Sequence, residues 1–179
     1  HTAEFTFQLL TGGDGILKFS GGEYKGPQID RIEITNRAQY TADDRFAFPA
    51  SGTTATLEMD LLELHNNTSD DGGWPLQITQ KDWASGGKFL NCLNSQDEVY
   101  LYYTAEAGTY NCTVYYRSGD SRNSLEWYDD EGKIERGEVT AGAGDRAGAT
   151  HQATFTINVL ESGDGILKFS GGQYKGPQL

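Results

Sequence analysis

Apolar and polar residues alternate with a period of two along much of this chain. In Thr154–Val159 (TFTINV) every second residue is a large apolar one, and the same alternation runs through Asp97–Ala105 and Thr109–Arg117. Because neighbouring residues of a strand point to opposite faces of a sheet, this pattern predicts half-buried antiparallel strands. We also expect strands at Asp30–Ile34, Ala55–Leu64, Lys88–Leu93, Ser124–Tyr128 and Ile166–Ser170.

Turn residues separate the predicted strands, as in Ser118-Gly119-Asp120 and Gly163-Asp164-Gly165. Short strands at near-regular spacing with Gly-containing turns are typical of sandwiches and barrels. We therefore expect an all-β fold, an antiparallel, jelly-roll-like β-sandwich, and we find no convincing amphipathic helix.

Three stretches lack the alternation. Thr35–Thr54 mixes charge, Pro and Gly, and we interpret residues 35–55 as a linker. Asn66–Gly87 predicts a long surface excursion, and Ala141–Ala149 predicts a loop tip.

The chain also repeats itself. Residues 13–28 and 163–178 differ at one position, and residues 1–29 align without a gap to residues 151–179 with 20 identities. A constant offset of 150 residues is the mark of a repeat protein, and this length suits one domain per repeat. We therefore expect about one full period of a tandem array of sandwiches, plus the beginning of the next.

Composition narrows the function classes. The 179 residues carry a formal net charge of -12, which argues against nucleic acid and anionic membranes as partners. No run of about 18 apolar residues occurs, so the sequence predicts no membrane-spanning segment. The first residue is His rather than Met, and we expect the chain to be processed or excerpted from a longer protein.

Sequons and cysteines favour an extracellular protein. Asn66, Asn67 and Asn111 each precede a hydroxyl residue by two positions, as N-glycosylation requires. Cys92 shares a strand face with Leu90, and Cys112 lies on an apolar strand face. If those strands are neighbours, a disulfide between the two cysteines fits an oxidising compartment; the alternative is two buried free thiols.

Three segments occur in an order that resembles a known protein family. SGGKF at 85–89, DEVYL at 97–101 and AGTYNCTVYYRSG at 107–119 resemble carbohydrate-binding modules of the family 6 and family 35 type. The resemblance covers roughly residues 56–179, with Ile29–Ile34 (IDRIEI) matching the family's closing strand. It implies that residues 1–34 are the C-terminal strands of one sandwich, and that residues 56–179 are the next sandwich without its last strand.

That missing strand leaves three alternatives. A following repeat supplies it in a continuous polymer, a neighbouring subunit supplies it by strand complementation, or residues 1–34 fold back on their own chain. The duplication argues against the last, because one copy would be redundant.

The resemblance also implies two kinds of site. The family binds calcium between its opening and closing strands, and the matching positions are Asp30, Glu58 and Asp60. Its sugar sites use exposed aromatic side chains. We expect Trp74 and Trp83, which lie in loops, to bind carbohydrate; the other aromatic candidates are Tyr100, Tyr102, Tyr115 and Trp127, of which we expect Trp127 to be buried.

Catalysis is poorly supported by the sequence. Only His1, His65 and His151 occur, and no Gly-x-Ser-x-Gly, HExxH, phosphate-binding or CxxC motif is present. We therefore expect no enzyme. We expect first that the chain is a structural subunit of an extracellular, glycosylated filament, in which its partners are copies of itself. The alternative is a calcium-stabilised carbohydrate-binding module that recognises polysaccharide.

Overall fold

The computed structural model describes residues 39–65, 75–91, 93–118, 123–142, 150–172 and 176–179. The chain divides into two units, His1–Asn36 and Arg37–Leu179, and every described residue belongs to the second. The predicted strand Asp30–Ile34 therefore lies outside the described residues. The strands are β1 Phe46–Ala47, β2 Glu63–His65, β3 Gln77–Gln80, β4 Lys88–Asn91, β5 Glu98–Ala105, β6 Gly108–Tyr116, β7 Ser124–Tyr128, β8 Gly137–Thr140, β9 His151–Val159 and β10 Gly163–Gly171.

The first sheet is built around β10. Its strand order is β1-β5-β10-β7-β8, and β2 pairs with β5 as well. β10 is antiparallel to β5 on one edge and to β7 on the other, with Leu167 opposite Leu101 and Phe169 opposite Trp127. This central strand is the GDGILKFSG segment of the sequence repeat.

The second sheet consists of two antiparallel pairs, β3-β4 and β6-β9. The C-terminal tail, residues 176–179, joins them. Gln178 exchanges two backbone hydrogen bonds with Arg117 (3.0 and 2.8 Å), and Leu179 exchanges two with Leu90 (3.0 and 2.5 Å). The tail thus lies between β4 and the end of β6.

Alternation places the core between the two sheets. Val99, Leu101 and Tyr103 of β5 are at most 1% exposed, and they pack in one cluster with residues of β7, β9 and β10. Burying one such apolar side chain contributes about 1.5–3 kcal/mol. The predicted all-β fold is confirmed.

The predicted linker at residues 35–55 contains part of the fold. Phe46–Ala47 forms β1, parallel to β5, and Tyr40, Phe46 and Phe48 pack against the core. The ring of Phe48 lies 5.4 Å from that of Tyr103. The aromatic side chains of this stretch pack against the core, and their burial outweighs the effect of the charges, Pro and Gly on which the linker interpretation rests.

Two other predicted elements differ. Within Ala55–Leu64, Met59–Leu61 is a 3-10 turn rather than a strand, and only Glu63–His65 pairs with β5. In the predicted surface excursion, Gln77–Gln80 is a strand paired with β4, while residues 66–74 lie outside the described residues. Of the predicted loop tip, only 141–142 is described.

The predicted disulfide is not formed. Cys112 is a free thiol, and its Sγ contacts the carbonyl oxygen of Tyr110 at 3.7 Å. The tail separates β4 from the end of β6, so the two strands are not the neighbours that the prediction assumed. Cys92 itself lies outside the described residues.

In the part of the chain that the structure describes, no helix is long and apolar enough to cross a bilayer.

Candidate functional site: a tyrosine face on the first sheet

The outward-facing residues of β5 form a half-exposed row. Glu98, Tyr100 and Tyr102 alternate with fully buried core residues, because successive side chains of a strand point to opposite faces. The core therefore fixes the backbone from which the two tyrosine rings project.

Neighbouring strands extend this row across the sheet. Glu63 on β2 and Lys168 on β10 lie directly opposite Tyr100, and Tyr128 on β7 lies opposite Lys168. Directly opposite residues have Cβ atoms about 4.5–5.5 Å apart, so the four side chains form one continuous row. We call the surface made by the following residues the tyrosine face: Glu63, His65, Glu98, Tyr100, Tyr102, Tyr128 and Lys168.

Glu98 organises the middle of the face. It accepts hydrogen bonds from the hydroxyls of Tyr100 (2.7 Å) and Tyr128, and the ammonium of Lys168 lies 3.8 Å away. Lys168 also pairs with Asp130 at 2.5 Å. These bonds hold the tyrosine and lysine side chains in place, so little conformational entropy remains to be lost on binding a ligand.

The hydrogen bonds set the protonation of the face. Burial opposes ionisation of Glu98, but the hydrogen bonds from Tyr128 and Tyr100 and the charge of Lys168 outweigh it and lower the pKa of this carboxyl. Burial, together with the hydrogen bond to Glu98, raises the pKa of the Tyr100 and Tyr128 hydroxyls. At neutral pH Glu98 is thus a carboxylate that accepts, and the hydroxyls of Tyr100 and Tyr128 are phenols that donate to it.

The tyrosine rings differ in what covers them. Tyr100 stacks on His65, with centroids 3.7 Å apart and 21° between the planes. The ring of Tyr102 has the guanidinium of Arg45 at 5.9 Å, and its hydroxyl donates to Glu63 at 2.8 Å. That hydrogen bond, followed by burial, raises the pKa of Tyr102. The Tyr102 ring is therefore more open to a sugar than the Tyr100 ring, because Arg45 lies farther from Tyr102 than His65 lies from Tyr100.

Replacing Glu98 by Gln is expected to change the pH dependence of stability. A carboxyl with a lowered pKa stabilises the fold above its unfolded-state pKa, about 4.3, and loses this contribution as the pH falls through its folded-state pKa. The wild type should therefore exceed Glu98→Gln in free energy of unfolding by on the order of 1 kcal/mol above about pH 5. The gap should close below about pH 4. Urea unfolding from pH 3 to pH 7 measures it, and a gap that is independent of pH would contradict this assignment.

Trp83, one of the two predicted sugar-binding tryptophans, is not part of this face. Trp74 lies outside the described residues. The ring of Trp83 lies 4.7 Å from that of Phe89, and the guanidinium of Arg117 lies 4.4 Å over it. Trp83 thus packs against the second sheet, and its sugar-binding role stays a prediction.

The calcium prediction has no support among the described residues. Glu58 precedes the 3-10 turn and accepts a hydrogen bond from the Ser85 hydroxyl at 2.8 Å, and Asp60 is buried. Across the described ranges, no group of three or more His, Cys, Asp or Glu is placed to hold a metal ion. Asp30 lies outside them, so the site stays a prediction.

Of the three predicted glycosylation sites, the structure describes one. Asn111 is exposed on the outer face of β6, where its side chain is accessible. Asn66 and Asn67 lie outside the described residues.

A cavity of about 320 Å³ lies where β8 meets β9, away from the tyrosine face. Trp127 and Phe155 line it, with ring centroids 4.6 Å apart. A Cβ at Gly137 would clash with the Trp127 indole, so this glycine makes room for the ring. Trp127 is 4% exposed, as predicted.

Of the tyrosine face, only Tyr100 and Tyr102 are candidates from the sequence; Glu63, His65, Glu98, Tyr128 and Lys168 are not. One signal was available. In the predicted strand Ser124–Tyr128, an inward Trp127 requires Tyr128 to point outward. The register that places Lys168 between Tyr100 and Tyr128 could not be read from the sequence, because strand order is a property of the folded sheet.

Comparisons with known proteins concern the fold alone. No family model matches the sequence, and no curated protein does. A solved structure of an exo-β-1,3-galactanase from Phanerochaete chrysosporium with β-1,3-galactotriose is similar, with a TM-score of 0.54 and 17% identity. The match covers 69% of this chain and 27% of the galactanase, so the chain spans about a quarter of that enzyme's length.

Two solved carbohydrate-binding modules also match. A family 35 module from Clostridium thermocellum gives a TM-score of 0.45 and 12% identity, covering 68% of this chain and 88% of the module. A family 6 module of a Cellvibrio mixtus lichenase, in complex with cellotriose, gives 0.42 and 14%, covering 65% and 89%. At these TM-scores neither module carries an argument, and the all-β sandwich rests on the strands and sheets described above.

Proposed function

We propose that the tyrosine face binds a neutral polysaccharide without catalysing its cleavage. The observation that carries this proposal is the set of three half-exposed tyrosines, Tyr100, Tyr102 and Tyr128, whose hydroxyls are held by hydrogen bonds to Glu98 and Glu63. A pyranose ring offers an apolar face for stacking on an aromatic side chain and hydroxyls that pair with carboxylates and phenols. The net charge of -12 disfavours an anionic polymer.

Isothermal titration with β-1,3-galactotriose and cellotriose tests this proposal. Tyr102→Ala is expected to weaken binding at least about tenfold, equivalent to 1.4 kcal/mol, because it removes the stacking platform. Tyr102→Phe should keep most of the affinity, since the ring remains.

The matched control is Tyr115→Ala, which removes a 65% exposed tyrosine from the second sheet and should leave the affinity unchanged. Equal affinities of Tyr102→Ala and the wild type, or binding of neither sugar nor any longer glucan or galactan, would refute the proposal. Reducing-end assays of the same mixtures should show no cleavage.

A second candidate concerns assembly: we propose that the chain is a repeat unit of an extracellular, glycosylated filament. The observation in favour is that β10, with the sequence GDGILKFSG, has a strand on each edge. β10 is the middle strand of the order β1-β5-β10-β7-β8, a position that one strand can fill, and residues 13–21 carry the same nine residues. The first copy therefore fits a second sandwich. Sequencing of the complete coding region should reveal further copies at 150-residue spacing, and a segment that occurs once would exclude the array.

A further inference from the structure

The cavity between β8 and β9 contains a buried polar group that the tyrosine face does not use. The Trp127 side chain is 4% exposed, and within the described part of the chain its indole Nε1–H has no hydrogen-bond acceptor. Buried donors are normally paired, because an unpaired one has lost its hydrogen bond to water without a replacement. The indole nitrogen therefore marks a place for an accepting atom.

The nitrogen side of this indole faces the cavity. Gly137 lies directly opposite Trp127 in the pairing of β7 with β8, and both residues line the cavity. A Cβ at Gly137 would lie 2.6 Å from Cε2, the ring atom to which Nε1 is bonded. The missing side chain thus leaves space beside the nitrogen, and a larger residue at position 137 would fill it.

The cavity combines aromatic and polar lining. The ring of Phe155 lies 4.6 Å from that of Trp127, with 34° between the planes. Glu135 is exposed, and its carboxylate accepts a hydrogen bond from the Asn158 amide at 2.7 Å, which holds both of these lining side chains in place. A volume of about 320 Å³ lies at the lower end of the range for small-molecule sites, about 300–1,000 Å³, and suits one sugar unit.

The charges of the lining disfavour an anionic ligand. Arg136 is the one cation among the lining residues, all of which are described, and its guanidinium pairs with the Glu126 carboxylate at 2.6 Å. Glu135 and Glu138 add two carboxylates to the same lining. An anion would therefore meet two like charges, while the cation is already paired.

The unpaired donor selects the accepting group. A hydroxyl against the indole N–H would bring its own O–H into aromatic surroundings, where it needs a further acceptor, whereas a carbonyl oxygen brings no donor. A methyl group on the same carbonyl carbon would pack against the rings of Trp127 and Phe155. An acetyl group contains both parts.

We propose that the cavity binds the acetyl group of an acetylated sugar, with its carbonyl oxygen accepting from Nε1 of Trp127. Glu135 and Asn158 then pair with the hydroxyls of the sugar. An acetamido nitrogen or an ester oxygen can carry the acetyl group, since both present the same carbonyl and methyl. This inference goes beyond the proposed function and does not rest on it, because the cavity and the tyrosine face share no residue.

The indole N–H resonance of Trp127 in the isotope-labelled full-length chain tests the proposal. The methyl glycoside of N-acetylglucosamine and an O-acetylated methyl glucoside are the two probes, and a saturable shift of this resonance is expected with at least one of them. A shift with the first alone assigns the site to acetamido sugars, and a shift with the second alone assigns it to acetyl esters. Unmodified methyl glucoside should leave the resonance in place.

Two tryptophan variants separate the donor from the ring. Trp127→Phe keeps an aromatic ring and removes the donor, and it should weaken binding of the acetylated sugar about tenfold in isothermal titration. The matched control is Trp83→Phe, because the Trp83 ring packs against Phe89 outside the cavity and its loss should not change the affinity.

Tyr102→Ala should also leave the affinity for the acetylated sugar unchanged, so that a failure of the tyrosine-face proposal is distinguishable from a failure of this one. A Trp127 resonance that neither acetylated probe moves, or that methyl glucoside moves equally, would overturn the acetyl site. The wild-type titration gives this result even if Trp127→Phe does not fold.

Discussion

Gly171→Ala is expected to destabilise the fold by at least about 3 kcal/mol. A Cβ at this position would lie 2.5 Å from the backbone nitrogen of Gly176 and 2.6 Å from the carbonyl oxygen of Leu93. Both are backbone atoms fixed by hydrogen bonds of the tail to Leu93 and of Gly171 to Asn94. Neither can move without breaking the contacts that hold the tail, so the cost lies at the upper end of that for overpacking.

The matched control is the same substitution at Gly52, where a Cβ would meet no atom within 4 Å but the φ angle is +81°. Only backbone strain acts there, and the expected loss is about 1 kcal/mol. Urea midpoints at equal m-values compare the two variants. A loss at Gly171 no larger than that at Gly52 would mean that the tail does not pack as described.

Phe48→Ala is expected to cost about 3 kcal/mol. The Phe48 ring lies edge-on to Tyr110 at 5.0 Å and against Tyr103 at 5.4 Å, and so contacts one strand of each sheet. Its backbone N–H donates to the carbonyl of Thr104 at 2.9 Å, so the main chain stays in place and a cavity remains. This prediction separates a segment that belongs to the core from the linker that the sequence predicted.

Tyr115→Ala serves as the aromatic control for stability. Its side chain is 65% exposed, and surface changes of this kind usually stay within about 0.5 kcal/mol. Thermal and urea unfolding should show a clearly lower free energy of unfolding for Phe48→Ala than for Tyr115→Ala. A Phe48→Ala protein as stable as Tyr115→Ala would restore the linker interpretation.

Alternation predicted the strands that carry the core, because a strand with one buried face must repeat every two residues. β5, β6, β7, β9 and β10 were found in this way. β1 was not, because two residues pairing with β5 leave no periodic signal. The turn at Met59–Leu61, inside the predicted strand Ala55–Leu64, was not predicted, because three residues are too few to show a period.

The tyrosine face was predicted less well than the strands, because it depends on how the strands pair. Exposed loop tryptophans are conspicuous in a sequence, whereas a surface assembled from four strands exists only once the register is known. Tyr100 and Lys168 are 68 positions apart in the chain and directly opposite in the sheet. The tail's position between β4 and β6 likewise depends on long-range pairing.

Amide and aromatic chemical-shift mapping of the labelled full-length chain, titrated with β-1,3-galactotriose and then cellotriose, tests the central claim most directly. The account predicts that the largest shifts fall on Tyr100, Tyr102 and Lys168. Shifts centred instead on the cavity beside Trp127 and Phe155, or on Trp83, would contradict it.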